Sequence, residues 1–148
     1  ESASEMAEAC LLAQSCGLKM SVMVLLGLGG RTRSSEHAAD TAHTLNRMQP
    51  RLLSVLRLIP VPGTPLHADM ESGRFDMLTE HGAIAELRAL LAQLELAGTV
   101  FRTDHVSNIV PLEGRLPRDR DALLAILDAL LASGRLDRHG PGRLPDYL

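Results

Sequence analysis

The chain has 148 residues, enough for one domain that buries roughly two-thirds of its unfolded surface, and it is 45% apolar and 22% charged. That composition argues against disorder, and no apolar run approaches the roughly 18 residues a membrane-spanning helix needs. Lys and Arg total 15 against 18 Asp and Glu, a net charge of -3, and the scattered basic residues have only two Phe and one Tyr among them, so neither a basic nucleic-acid face nor a base-stacking platform is expected.

The first segment sets Met6, Ala9, Cys10, Ala13 and Cys16 at helical spacing after Ser2 or Ser4 as N-cap, and Gly17 ends it. Its cysteines, Cys10 and Cys16, lie on different faces, so neither a disulfide nor a shared metal is expected between them. Glu1 to Glu8 is acidic where an export signal needs a basic region and an apolar block, and a reducing cytoplasm is the expected location. Lys19 to Leu26 is a continuous, Val-containing apolar run that reads as a strand buried on both faces. It opens into Gly27-Leu28-Gly29-Gly30-Arg31-Thr32, after which Ser34 or Ser35 caps a helix that Pro50 stops.

A second strand, Leu53 to Ile59, runs into the proline-rich Pro60 to Pro65, followed by a short helix near Leu66 to Met70. Thr79 caps a long helix over about 80–96 with Ile84, Leu87, Leu90, Leu91 and Leu94 on one stripe. Thr99 to Thr103 is the third strand, Asp104 to Pro117 a loop, and Arg118 to Ala132 a helix with Leu123, Leu124, Leu127, Leu130 and Leu131 buried. Residues 134–148 mix glycine, proline and charge and read as a loosely held tail. Alternating helices and strands predict an α/β fold of three βα units with parallel strands and covering helices. Three strands are few for such a sheet, so residues 1–133 read as the second part of a larger α/β domain.

Ligands in βα architectures lie outside the carboxyl ends of the strands. At the first such end, Gly27 to Gly30 let the backbone approach a ligand and leave N–H groups for an anion or an adenine edge, or simply make a tight turn. A Rossmann fingerprint fits poorly, because Thr32 stands at its third glycine, and no Walker Gly-Lys-Ser/Thr occurs. At the second, Arg57 in an apolar strand needs an anionic partner, a cavity or solvent. At the third, His105, Ser107 and Asn108 either face a ligand or satisfy loop backbone groups. Ser107 has no nucleophile elbow, and the six histidines show no HxxxH or HxH pairing, so neither a hydrolase nor a protein-ligated metal is expected.

In order and spacing, Val24-Leu25-Leu26-Gly27-Leu28-Gly29-Gly30 before Glu36-His37-Ala38-Ala39-Asp40-Thr41-Ala42, then Pro60-Val61-Pro62-Gly63-Thr64-Pro65-Leu66, then His105-Val106-Ser107-Asn108, resemble the C-terminal half of radical S-adenosylmethionine enzymes related to oxygen-independent coproporphyrinogen oxidases. The resemblance covers roughly Ser2 to Ser133. It implies the C-terminal part of a partial TIM barrel. The other half of the same barrel carries CxxxCxxC, which holds a 4Fe-4S cluster that cleaves S-adenosylmethionine to a 5'-deoxyadenosyl radical. It further implies that Leu26, Gly27, Leu28, Gly29 and Gly30 lie on the cofactor side, and that Arg57, His105, Ser107 and Asn108 face a small-molecule or macromolecular substrate or the adenosyl group.

The chain departs from that pattern in having no CxxxCxxC, and Cys10 and Cys16 do not replace it. It is therefore expected to bind neither cluster nor S-adenosylmethionine alone, as a portion of a longer enzyme or a degenerate relative that kept the scaffold. The missing initiator Met and the opening on a crossover helix favour the portion. The alternative is a non-catalytic α/β module that binds a nucleotide or an anion at Gly27 to Gly30. No membrane or nucleic-acid partner is expected, and self-association is, because a cut sheet leaves an edge and an apolar face to cover.

Overall fold

Residues 2–144 are described by the structure, a computed structural model, and form one four-stranded sheet with helices against it. Helix α1 (Ala3–Ser15) starts in a reciprocal capping box: Ser2 Oγ accepts from Glu5 N–H at 3.3 Å, and Ser2 N–H donates to the Glu5 carboxylate at 2.6 Å. Strand β1 (Ser21–Leu26) pairs in parallel with β2 (Leu52–Arg57), from Ser21 opposite Leu52 to Leu26 opposite Arg57. Between them, α2 (Ser34–Met48) ends at Gln49, in the left-handed region with φ 47°. Gln49 is held there by its amide, which donates to Asn46 O at 2.8 Å and Glu95 O at 2.9 Å and accepts from Ala97 N–H at 3.0 Å.

Helix α3 (Pro65–Glu71) begins at Thr64, and α4 (Glu80–Ala92) at Thr79, whose hydroxyl accepts from Gly82 N–H at 2.9 Å. The stripe of α4 is expected to stay helical to about residue 96; the helix ends at Ala92, yet Leu94 and Leu96 remain buried in the irregular chain that follows. Strand β3 (Thr99–Arg102) pairs in parallel with β2. Strand β4 (Glu113–Leu116) then turns back antiparallel to β3 inside the segment expected to be loop, before α5 (Arg120–Ala132). Glu-Gly-Arg-Leu carries no apolar alternation. Its pairing is set by Thr103, whose N–H donates to Leu112 O at 2.8 Å while its hydroxyl accepts from Leu112 N–H at 2.8 Å.

The strand order is β1-β2-β3-β4, and the helices cover one face. Leu26, Leu53, Val55, Phe101 and Leu116 share a core with Ala7 and Cys10 of α1, Leu45 of α2, Leu87 and Leu91 of α4, and Leu127 of α5. Alternate residues point the other way. Met23 is 69% exposed and Leu25 38%, and Leu52, Ser54, Leu56, Val100 and Arg102 are half-buried. The apolar run of β1 is therefore covered on one side only, contrary to the expectation of burial on both. Among the described residues no helix is long and apolar enough to cross a membrane. Within the segment read as a tail, Leu136 is buried, and main-chain bonds join Asp137 and Gly140 to the start of α4. Residues 145–148 of that tail lie outside the described residues.

Candidate functional site at the carboxyl ends of the strands

The parallel register brings the ends of β1, β2 and β3 to one rim, where the glycine turn meets a buried carboxylate. Gly27 has φ 89°, and its N–H donates to Glu86 Oε1 of α4 at 2.8 Å. Ser34 Oγ donates to Glu86 Oε2, and His37 Nδ1 lies 3.0 Å from Oε1. A carboxylate oxygen accepts, so a proton on His37 Nδ1 satisfies this contact. Ser34 is thus the first residue of α2 and spends its hydroxyl on Glu86, and Arg33 takes the cap position without a side-chain cap bond. A Cβ at Gly29 would meet Arg33 O at 2.9 Å and His37 Cβ at 3.0 Å, so this glycine is required by its own chain. Gly30, at φ 59°, packs on Phe75 and Asp76.

Leu26 and Gly27 are buried, Leu28 is 50% exposed, and among the described residues nothing accepts from the N–H groups of Leu28 and Gly29. Those two amides, with that of exposed Thr32 at the end of the turn, have no bonded acceptor among the described residues. Glu86 and His37 did not emerge from the sequence reading. The available signal was an acid on the apolar stripe of α4, at helical spacing between Ala83 and Leu90, where a buried carboxylate must find donors.

At the end of β2, Arg57 is buried, 7% exposed. Its N–H donates to Ser107 Oγ at 3.1 Å and its Nε to Ser107 O at 2.9 Å. Ser107 is buried, and its hydroxyl lies 2.9 Å from His105 Nδ1, which also accepts from Ser107 N–H at 3.2 Å. Asn108 donates to Val55 O at 2.7 Å and Thr103 O at 3.1 Å. Ser107 and Asn108 therefore close the ends of β2 and β3 by satisfying main-chain groups, while His105 is exposed. Two cavities of about 10 Å³ flank Arg57, one reaching Leu26 and Asn108 and the other Leu26 and Gly27. Each has room for about one water. Burial pulls the Arg57 guanidinium below its ordinary pKa, and the field of Glu80 opposes that shift.

A larger hollow follows the open edge of β1. One part, about 560 Å³, is lined by Met6, Cys10, Met20 and Met23; the next, about 350 Å³, by Met6, Val24, Leu25, Leu28 and His37. Both include Val22 and Met48, so an apolar trough runs beside the strand, floored by α1 and α2. Cys10 is buried and Cys16 exposed, both are free thiols, and burial pushes the Cys10 thiol up, disfavouring a thiolate. Two such separated sulfurs do not fit an iron–sulfur cluster. Among the described residues no group of three His, Cys, Asp or Glu is placed to hold a metal.

No protein-family model, curated protein or solved structure matches the chain. What stands is the class of fold: an α/β protein with an open, mostly parallel four-stranded sheet covered on one face.

Proposed function

We propose that the chain is the distal part of a radical S-adenosylmethionine enzyme, supplying three parallel strands of a partial TIM barrel and part of the wall around cofactor and substrate. The observation that carries this reading is the sheet itself: helices on one face, the other face half-open, and an apolar trough beside the open edge of β1. A barrel segment has those features, since its inner face and cut edges are covered by the rest of the barrel. The partner is then the other half of the same barrel, which brings the cluster cysteines that Cys10 and Cys16 do not replace. The protein works in a reducing cytoplasm.

On this reading the cofactor side is Leu26, Gly27, Leu28, Gly29 and Gly30. The contacts fall to the free amides of Leu28 and Gly29, with Leu26 and Gly27 behind them and Gly30 turning the chain. Glu86 and His37 are positioning residues that hold this turn. Arg57, His105, Ser107 and Asn108 form the substrate-side rim, where exposed His105 offers a proton donor or acceptor and the other three shape the floor. The test is to read the encoding gene for an upstream CxxxCxxC and reconstitute its product anaerobically with iron and sulfide. Formation of 5'-deoxyadenosine from S-adenosylmethionine supports the reading, and a gene without the triad overturns it. The free amides also suit a non-catalytic module that binds a nucleotide or anion unaided. Heat on titrating this chain with nucleotides would favour that module, and silence with nucleotides and S-adenosylmethionine would exclude it.

A further inference from the structure

Among the described residues one buried charged group has no bonded counter-charge. The Arg57 guanidinium is buried and always protonated, yet among the described residues each acceptor bonded to its side chain is a neutral main-chain carbonyl: Ser107 O on Nε, Pro141 O on Nη1 at 2.7 Å and Arg143 O on Nη2 at 3.2 Å. Glu80 is the acid whose field reaches it, but the two form no ion pair among the described residues. Carbonyl dipoles compensate a buried cation less than an anion does. The two Nη groups, which would grip the two oxygens of an oxyanion, instead grip two carbonyls spaced one residue apart around Gly142.

The covering segment is held unevenly. Leu136 is buried, Asp137 N–H donates to Glu80 Oε2 at 2.9 Å, His81 N–H to Asp137 O at 3.0 Å and Glu80 N–H to Gly140 O at 3.1 Å. From 138 to 144 no residue is buried, so hydrogen bonds rather than apolar packing keep this stretch on Arg57, the condition for local opening. Gly142 has φ 68°, and a Cβ there would overlap the Glu80 carboxylate. An alanine at that position is strained by the positive φ and must displace the Glu80 carboxylate from the Asp137 N–H it accepts, so it works against docking of the stretch.

We propose that Arg57 is an oxyanion site, for the carboxylate or phosphate group of a small ligand, and that residues 138–144 compete for it by laying the Pro141 and Arg143 carbonyls in the guanidinium fork. The ligand exchanges two neutral acceptors for one charged, bidentate one, and opening the segment uncovers the rim beside Ser107 and Gly27. The site needs neither cluster nor S-adenosylmethionine, so its failure and that of the enzymatic reading are separable.

The test uses the full chain and Gly142→Ala, with sodium acetate and inorganic phosphate as separate probes at constant ionic strength, read by NMR at the Arg57 Nε–H and by hydrogen exchange over 138–144. Gly142→Ala should release the segment and bind one of the two anions about ten-fold more tightly than the parent, the gain expected when a covered site about nine-tenths closed is opened. Whichever anion gains identifies carboxylate or phosphate as the group recognised. Arg57→Lys in the Gly142→Ala background keeps the charge, loses the fork and should remove the gain. Equal affinity in parent and Gly142→Ala, a gain that survives Arg57→Lys, or unchanged exchange over 138–144 would each overturn the proposal.

Discussion

Removing the Glu86 carboxylate tests whether one buried acid holds the glycine turn, the start of α2 and α4 together. Glu86 is 2% exposed and receives Gly27 N–H, Ser34 Oγ and His37 Nδ1. In Glu86→Ala, Gly27 N–H is left buried and unpaired, at about 1–3 kcal/mol, while half-buried Ser34 and His37 recover part of their loss from water. Relief of the desolvated charge offsets some of this, and the small cavity adds to it. The sum is a destabilisation of about 3 kcal/mol. In a chain of this length that lowers Tm by roughly 6–12 °C. Glu86→Gln keeps an oxygen for Gly27 and His37 and an amide for Ser34, and should lose only about 1 kcal/mol. Urea unfolding at neutral pH measures both. The reasoning is refuted if Glu86→Ala loses less than Glu86→Gln, or if the Gly27 amide resonance is unmoved in either.

Gly29→Ala drives a methyl against Arg33 O and His37 Cβ, so the turn must shift; we expect a loss of about 1–3 kcal/mol and displaced Leu28 and Gly29 amide resonances, and a variant of parental stability would contradict the packing. Asp119 is held down to about 2 by its bonds from Arg118 and Arg115. A depressed carboxyl contributes stability above its unfolded pKa that is lost as pH falls through the folded value, so that contribution should fade between about pH 4 and pH 2. An NMR titration midpoint near 4 for Asp119, or an Asp119→Asn variant with an unaltered acid limb, would count against it. The open edge and face at β1 should make this chain self-associate at high concentration, and Met23→Lys should suppress that; sedimentation showing a monomer throughout would remove the argument.

Local rules carried much of the fold. Periodicity in α4 and α5, capping by Ser2 and Thr79, and the apolar runs of β1 and β2 are properties of neighbours in the chain, and each element forms in its expected segment, with ends that differ by a few residues, as where α4 stops at Ala92. The glycine turn at the end of β1 was legible for the same reason. Tertiary structure alone decided that β4 pairs with β3, because four residues with two charges and a glycine carry no strand signal until Thr103 fixes their register. It also decided which face of β1 is covered, since a run apolar on both sides does not say where helices dock. The partners of Glu86 and Arg57 lie 49 to 86 positions away along the chain. A buried charge announces in sequence that it needs partners, but which groups answer depends on long-range packing that brings α4 beneath the turn and residues 138–144 over Arg57.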